Sequence, residues 1–428
     1  MKVCIITLGC KVNQYESDAL ANSLEKLGYE VCSKLEDANF FVVNTCAVTN
    51  EAERKSRQMI AKIKKLSPKA KIYVCGCASQ HNANKFAEIE GVKFVSGVSN
   101  KLKIIQYIEK ASRKKIEVDN IGEEYEDNLI AKKTKTRAYI KIQDGCNNFC
   151  SYCLIPYLRG RSRSRNIISI MNEIDALKND VKEIVLTGID ISTYKIDGKP
   201  ALHELLKLLA DYPLRIRLGS LEQGIVSEEF LQVAEQMKNL CPHFHLSLQS
   251  GSNTVLKRMN RHYTTKQFEQ TVKKLRKIYL NPAITTDIIV GFPGETDKEF
   301  KETLKFAKKV GFSQIHIFPY SLREGTVAAK MKQIDGQVKR KRVEELEQLN
   351  EKLKEKYIKK CRKGYHSVLI EEKVDDFYVG HSENYIKCYI AAENLLPNTF
   401  VNVKILKKFR DGALAVPYEV WNGRLRIL

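Results

Sequence analysis

The run Cys146-Asn-Asn-Phe-Cys150-Ser-Tyr-Cys153 constrains this chain more than any other stretch. Three thiolates at CxxxCxxC spacing can ligate three irons of a 4Fe-4S cube, and the fourth iron is left without a protein ligand. An iron with an open position can bind a small molecule and act on it. The run follows the apolar stretch AYIKIQ, residues 138–143, which places it at the carboxyl edge of a strand, where β/α folds carry their active sites. A zinc knuckle is the competing reading, but residues 154–165 supply no fourth Cys or His. The opening MKVCIITLGC runs straight into Lys11 and Asn13, so it lacks the length and cleavage pattern of a signal peptide, and no stretch is long and apolar enough for a membrane span. A cytoplasmic protein is expected. In that compartment twelve cysteines read as metal or redox sites and not as a disulfide framework.

A second thiol set is scattered. Cys10, Cys46 and Cys77 each end an apolar run, IITLGC, FFVVNTC and IYVCGC. If the runs are parallel strands, the three thiols share one sheet edge and can converge on one metal centre. Cys75 rivals Cys77 in the same loop. Strand alternation points both to one side, so spacing leaves that choice open. Cys4, Cys32, Cys241, Cys361 and Cys388 have no companions and read as packing or surface residues. His243 and His245 share a strand face without a carboxylate or third ligand nearby in sequence, which favours a structural role.

A length of 428 residues suggests about three domains. The fold class expected is α/β. An N-terminal parallel-sheet domain, residues 1–112, has strands at 3–8, 40–44 and 72–74 and helices at 16–27 and 51–66, the latter capped by Thr49 or Asn50. A charged linker follows at 113–137. Residues 138–360 repeat six strand–helix units, AYIKIQ, KEIVLTG, RIRLGS, HFHLSLQ, AITTDIIVGF and QIHIFPY, which predict a partial (β/α)6 barrel and a long charged helix, 337–360, leading away from it. The last segment, 361–428, has short β-rich runs that suit a small antiparallel β-barrel. The net charge of +21 attracts polyanions, nucleic acid first among them. Arg159, Arg161, Arg163 and Arg165 alternate just after the cluster motif, and on an extended segment they could grip successive RNA phosphates. The runs Lys339–Arg342 and Lys359–Lys360 read as a solvated helix face.

The CxxxCxxC run, with aromatic Tyr152 before its last Cys, resembles the radical-SAM superfamily. The two thiol sets together resemble its methylthiotransferase family across essentially the whole chain: LGCKVNQYES, NTCAVTNEAERKSRQ, VCGCASQ, IQDGCNNFCSYCLIPYLRGRSRSR, LSLQSGSNTVLKRMNRHYT and DIIVGFPGET. The C-terminal segment is similar to the RNA-binding TRAM module. The resemblance implies two 4Fe-4S clusters and S-adenosylmethionine as cofactors. Cys146, Cys150 and Cys153 would hold the cluster that binds SAM and cleaves it to a 5′-deoxyadenosyl radical. Cys10, Cys46 and Cys77 would hold an auxiliary cluster that takes part in sulfur delivery; by position the third ligand is Cys77, which follows Gly and precedes the Ala/Gln stretch. Further SAM contacts implied by position are Tyr152, Thr187, Gly188, Ser220, Glu222 and Gln249. The partners implied are tRNA, a low-potential electron donor and a sulfur source, with no membrane. Of three branches, acting on threonylcarbamoyladenosine in tRNA, isopentenyladenosine in tRNA, or a ribosomal-protein aspartate, CKVNQYES and GRSRSR are most similar to the first. A non-catalytic iron–sulfur RNA-binding protein is the alternative from another class.

Overall fold

The computed structural model describes residues 1–35, 38–110, 115–127, 130, 136–421 and 424–427. Of the stretch expected to be a linker, residues 113, 114, 128, 129 and 131–135 lie outside the described residues.

Apolar, β-branched runs build the first sheet from β1 (Lys2–Thr7), β2 (Glu30–Cys32), β3 (Phe40–Thr45), β4 (Lys71–Gly76), β5 (Val92–Ser96) and β6 (Ile116–Glu117). All pair in parallel, in the order β2-β1-β3-β4-β5-β6. A parallel sheet needs both faces covered. Phe41, Val43, Ile72 and Val74 pack on Ile60 and Ile63 of α2 (Asn50–Leu66), which Thr49 caps by accepting the Ala52 N–H at 3.1 Å. On the other face Val42, Tyr73 and Phe94 meet Leu20 and Leu24 of helix Lys11–Lys26.

The six expected barrel strands are present: β7 (Arg137–Lys141), β8 (Glu183–Thr187), β9 (Arg215–Leu218), β10 (His243–Leu246), β11 (Ala283–Val290) and β12 (Gln314–Pro319). They form two parallel groups, β7-β8-β9 and β10-β11-β12. The short strand Ser220–Leu221, which continues β9 and pairs with β10, joins the groups, as does a bridge from Ile216 to Leu240. Alternation divides each strand. Ile140, Ile184, Leu186, Ile216, Leu218, Phe244 and Ile288 belong to the main core under the outer helices. The residues between them, including Arg137, Lys141, Glu183, Arg217, His243, His245, Asp287 and His316, face the lumen.

The C-terminal five strands, His366–Val374, Phe377–Ser382, Lys387–Ile390, Phe400–Phe409 and Gly412–Trp421, close into a barrel because Lys387–Ile390 pairs with both Phe377–Ser382 and Gly412–Trp421. A sixth strand, Arg424–Ile427, extends Gly412–Trp421 as a hairpin. This barrel sits on the floor of the lumen. Tyr385 stacks on His243 with ring centroids 4.6 Å apart and lies under Arg217 at 4.7 Å.

The Gly336–Cys361 helix does not lead away into solvent as its charge suggested. Leu346, Leu353 and Ile358 are buried, and Asn350 hydrogen-bonds both backbone groups of Ile315 in β12. Arg342, read as solvated, is buried and pairs with Glu295 at 2.8 Å and Asp297 at 2.7 Å. Its long apolar stem reaches into the interior and its head finds two carboxylates there.

Candidate active site

The parallel order β1-β3-β4 brings the scattered thiols together. Cys10 lies just beyond β1 and is the N-cap of Lys11–Lys26; Cys46 follows β3 directly; Cys77 follows β4 and opens a short helix, Cys77–His81. Each of the three sulfurs is an electrostatic neighbour of another in the set. Two glycines make the approach possible. A Cβ on Gly9 would sit 2.8 Å from the Cys46 sulfur, and one on Gly76 would sit 2.4 Å from the Thr45 carbonyl oxygen, while both carry positive φ, +103° and +105°. Gly76 also decides between the rival cysteines. Its left-handed backbone breaks the alternation that would have pointed Cys75 and Cys77 the same way. Cys75 therefore packs with Tyr73 and Phe94 on one face of the sheet, and Cys77 lies on the other.

The second triad, Cys146, Cys150 and Cys153, occupies the loop after β7, and the Leu154 and Leu158 that follow it pack into the N-terminal core beside Cys77. The two triads are thus parts of one packed unit. Gln143 shapes the start of this loop: its amide donates to the Asp144 and Gly145 carbonyls at 2.9 and 2.7 Å, and its oxygen accepts the Asp190 N–H at 2.9 Å.

The triad sulfurs are placed as hydrogen-bond acceptors. Five of the six accept an N–H: Cys46 from Val48 N at 3.5 Å, Cys77 from Arg159 Nε at 3.2 Å, Cys146 from Asn148 N at 3.4 Å, Cys150 from an Arg261 guanidinium nitrogen at 3.2 Å, and Cys153 from Ile155 N at 3.4 Å. By contrast, Cys32 and Cys388 donate their S–H to carbonyls. Burial pushes Cys46 and Cys153 up to about 12 and Cys146 up to about 11, a cost to the thiolate that a bound metal offsets. Among the described residues neither triad brings its three sulfurs within 4.8 Å of one another. Thiolates sharing one zinc stand about 3.8 Å apart, from Zn–S bonds of about 2.3 Å. The N–H···S donors suit thiolate ligands of an iron–sulfur cluster at each triad.

The arginine comb comes apart. Arg159 is fully buried, and besides Cys77 it donates to Glu16 at 2.8 and 3.1 Å, Asp144 at 3.2 Å and Asn13 at 2.8 Å. Arg165 is buried against Glu173, Asp127 and Ser169. The expectation of phosphate contact is corrected for these two: the carboxylates that draw them inward lie elsewhere in the chain. Arg163 is largely covered and donates to the Gly122 carbonyl at 3.2 Å. Arg161 alone is exposed, over the Phe149 ring at 4.3 Å.

Glu16 anchors this region. It receives Lys101, Lys141 and Arg159; burial works to raise its pKa, and the three cations overcome that and hold it well below the usual carboxylate range.

The positions expected to meet SAM line the strand ends above the lumen. Thr187 ends β8, and Gly188 has no room for a side chain, since a Cβ would lie 2.9 Å from Gln143. Ser220 is exposed, and Glu222 accepts from Asn148 at 2.9 Å and forms an ion pair with Arg261 at 2.6 Å. Gln249, at φ +68°, bridges to β11 through Asp287 and Ile289. Tyr152 packs with Phe292 and Tyr320. Sequence reasoning missed Asn148, Asp190 and Arg261, which surround the loop; burial and the neighbouring Glu222 raise Asp190 to about 6.

His245 does have a carboxylate, contrary to the sequence reading. Asp287 lies 3.2 Å from His245 Nε2 and 3.3 Å from His316 Nδ1. The three residues come from adjacent strands, so no local spacing announces them. Lys11 was also overlooked. Burial, with Arg217 and Arg137 nearby, lowers its pKa to about 8.

Residues 140–307 match the Radical SAM superfamily, and residues 2–97 match Uncharacterized protein family UPF0004. The chain is 38% identical over 95% of its length to the Threonylcarbamoyladenosine tRNA methylthiotransferase MtaB of Bacillus subtilis, covering 94% of that protein, and 38% identical over 99% of its length to the Thermotoga maritima protein of the same name, covering 98% of it. It is 36% identical over 95% of its length to the tRNA-2-methylthio-N(6)-dimethylallyladenosine synthase of Caldicellulosiruptor saccharolyticus, covering 90% of that protein. Among solved structures, the radical S-adenosylmethionine methyltransferase TsrM from Kitasatospora setae has the same fold, with a TM-score of 0.56 at 15% identity and 77% of each chain covered. Two thiol triads at facing strand edges, on a partial barrel and with relatives matched over nearly the full length, place the chain in the radical-SAM tRNA methylthiotransferase family.

Proposed function

We propose that this protein replaces the hydrogen on carbon two of threonylcarbamoyladenosine, beside the anticodon of tRNA, by a methylthio group. The observation that carries the reading is the fixed juxtaposition of the two triads: Arg159, on the loop that follows the second triad, donates to Cys77 of the first at 3.2 Å. Chemistry begun at one set is therefore completed within reach of the other.

In this family SAM and two 4Fe-4S clusters supply the methyl group, the sulfur-bearing centre and the 5′-deoxyadenosyl radical. We assign Cys146, Cys150 and Cys153 to the SAM-binding cluster, and Cys10, Cys46 and Cys77 to the auxiliary one. The chain itself tunes and orients. N–H donors stabilise the thiolates, and Arg159 and Arg261 add positive charge beside one sulfur in each set. Asn148, held by Asp190 at 3.2 Å and Glu222 at 2.9 Å, fixes the loop between Cys146 and Cys150. Thr187, Gly188, Ser220, Glu222 and Gln249 are assigned to SAM, with Tyr152 packing behind them. The barrel's polar lumen admits the base.

The C-terminal barrel is assigned to RNA as a TRAM-like module, and Arg161, with Arg163 beside it, to phosphate at the lumen mouth. We read residues 1–112, 138–360 and 361–428 as three domains. A low-potential electron donor and a sulfur source complete the reaction. No described helix is long and apolar enough to cross a membrane, and we assign the protein to the cytoplasm, where its RNA substrate is.

Anaerobically reconstituted protein, given SAM, a reductant and tRNA carrying either threonylcarbamoyladenosine or isopentenyladenosine, should methylthiolate the first. Product on the second alone would assign the other tRNA branch, and SAM cleavage with neither would refute the reading.

A further inference from the structure

Among the described residues, one cation of the lumen, Lys11, has no carboxylate paired with it. Arg137, Arg215 and Arg217 all pair with the buried Glu183. The last two also donate to backbone carbonyls of the C-terminal barrel: Arg215 to Ser367 at 2.8 Å and Arg217 to Glu383 at 3.0 Å. Lys141 is taken by Glu16 and Asp144, and Asp287 by His245 and His316. The Lys11 side chain, among the described residues, makes no hydrogen bond and has no carboxylate within 4.0 Å. Its electrostatic neighbours are Arg217, Arg137, Glu183 and Asp287, and it acts in turn on His243. Those residues sit on β7, β8, β9, β10 and β11. Only a point inside the lumen is near five of its six strands, so the N-terminal domain threads this ammonium into the barrel.

A largely covered cation without a paired counter-ion is costly to keep, unless a ligand brings the anion. We infer that Lys11 receives the carboxylate of the threonylcarbamoyl group and so selects that nucleoside over one bearing a hydrocarbon on the same nitrogen. The inference rests on the methylthiotransferase reading above.

Substrate chemistry sets where such a receptor must be. Carbon two and the N6 substituent of adenine flank the same ring nitrogen. The group that holds the substituent must therefore stand beside the centre that delivers sulfur to carbon two. Lys11 directly follows Cys10, a ligand assigned to that centre. The substituent's hydroxyl and urea also find polar company in the same layer, since His245, Asp287 and His316 line the adjoining wall. An isopentenyl group would leave Lys11 uncompensated and place apolar surface against this polar wall.

The test uses the holoprotein and two fluorescent anticodon stem–loops, one carrying threonylcarbamoyladenosine and the other its neutral carboxamide analogue. Affinity and the KM for methylthiolation are measured for each. Wild type should bind the acid about 10- to 100-fold more tightly than the amide, the range of a charge-assisted hydrogen bond. Lys11→Met should bring that ratio close to one, and Lys11→Arg should keep most of it. Equal binding of acid and amide by wild type overturns the inference and leaves the function standing. A preference that survives in Lys11→Met places the carboxylate elsewhere and also overturns it. If wild type methylthiolates neither stem–loop, the functional reading falls and takes the inference with it. Equal binding by wild type refutes the inference without any variant, and Lys11→Arg, which keeps the charge, controls for a Lys11→Met that folds poorly.

Discussion

Glu16→Gln is the most revealing single change, because Glu16 joins three parts of the chain that are distant in sequence. Its carboxylate receives Lys101 from the N-terminal domain, Lys141 from β7 at 2.8 Å and Arg159 from the cluster loop at 2.8 and 3.1 Å. The side chain is 2% exposed. Gln keeps the shape and removes the charge, which leaves Lys141 and Arg159 with Asp144 and Lys101 with only the Val98 carbonyl. Breaking a buried pair in this way costs about 3–5 kcal/mol, because the remaining charges stay desolvated. In a chain of this size that should lower the melting midpoint by roughly 3–6 °C. The sign of the pH dependence follows from the lowered pKa. Stability from Glu16 is fully present above its ordinary value of 4.5 and is lost only as pH falls through the depressed one. The gap between wild type and variant should therefore be constant from pH 8 to about 5 and shrink below that. Thermal unfolding of the metal-free chain by circular dichroism reads both features. Glu51→Gln, which removes an exposed pair with Arg54, should melt with wild type. A Glu16→Gln midpoint equal to that of Glu51→Gln would refute the reasoning.

Four further outcomes are expected. Changing Cys146, Cys150 and Cys153 together to Ala should halve the iron of the reconstituted protein, from about eight to about four per chain; an unchanged content would mean the triad holds no cluster. Cys77→Ala should lose the auxiliary iron while Cys75→Ala keeps it, because Cys75 only fills the apolar face shared with Tyr73 and Phe94; the opposite result would reverse the assignment. Arg161→Ala should weaken tRNA binding and flatten its salt dependence by about one phosphate contact, and an unchanged slope would make the residue a solvated bystander. Removing residues 364–428 should weaken tRNA binding and also lower the melting point, since Tyr385 and the carbonyls on Arg215 and Arg217 leave with the barrel; weakened binding at an unchanged melting point would show that the floor contributes nothing to the central fold.

What could be read from the sequence was what is local. Each of the six strands β7–β12 announces itself as an apolar run, and Thr49 caps its helix as its position suggested. The second triad is eight residues of contiguous chemistry. The ends of the three runs in the N-terminal sheet told where Cys10, Cys46 and Cys77 would gather, because parallel strands put like ends on one edge. Strand β5, whose apolar run VKFVS is short, the three-residue β2 and the two-residue β6 were missed. The larger failures concern where charges go. Arg159 and Arg161 look equivalent in RGRSR, yet one is buried by Glu16, 143 residues away, and the other lies over Phe149 at the surface. His245, Asp287 and His316 meet only because β10, β11 and β12 are neighbours in register. Lys11 read as the residue after a cysteine, and only the closure of the barrel around it makes it part of a binding site.

The most direct test of the account is the nucleoside composition of tRNA from a host lacking its own methylthiotransferase and expressing this chain or its Cys77→Ala variant. With the wild-type chain, mass spectrometry should show threonylcarbamoyladenosine gaining one methylthio group in place of one hydrogen; with Cys77→Ala that product should be absent at equal protein abundance. An unmodified threonylcarbamoyladenosine pool in the wild-type strain, or full product with Cys77→Ala, would contradict it.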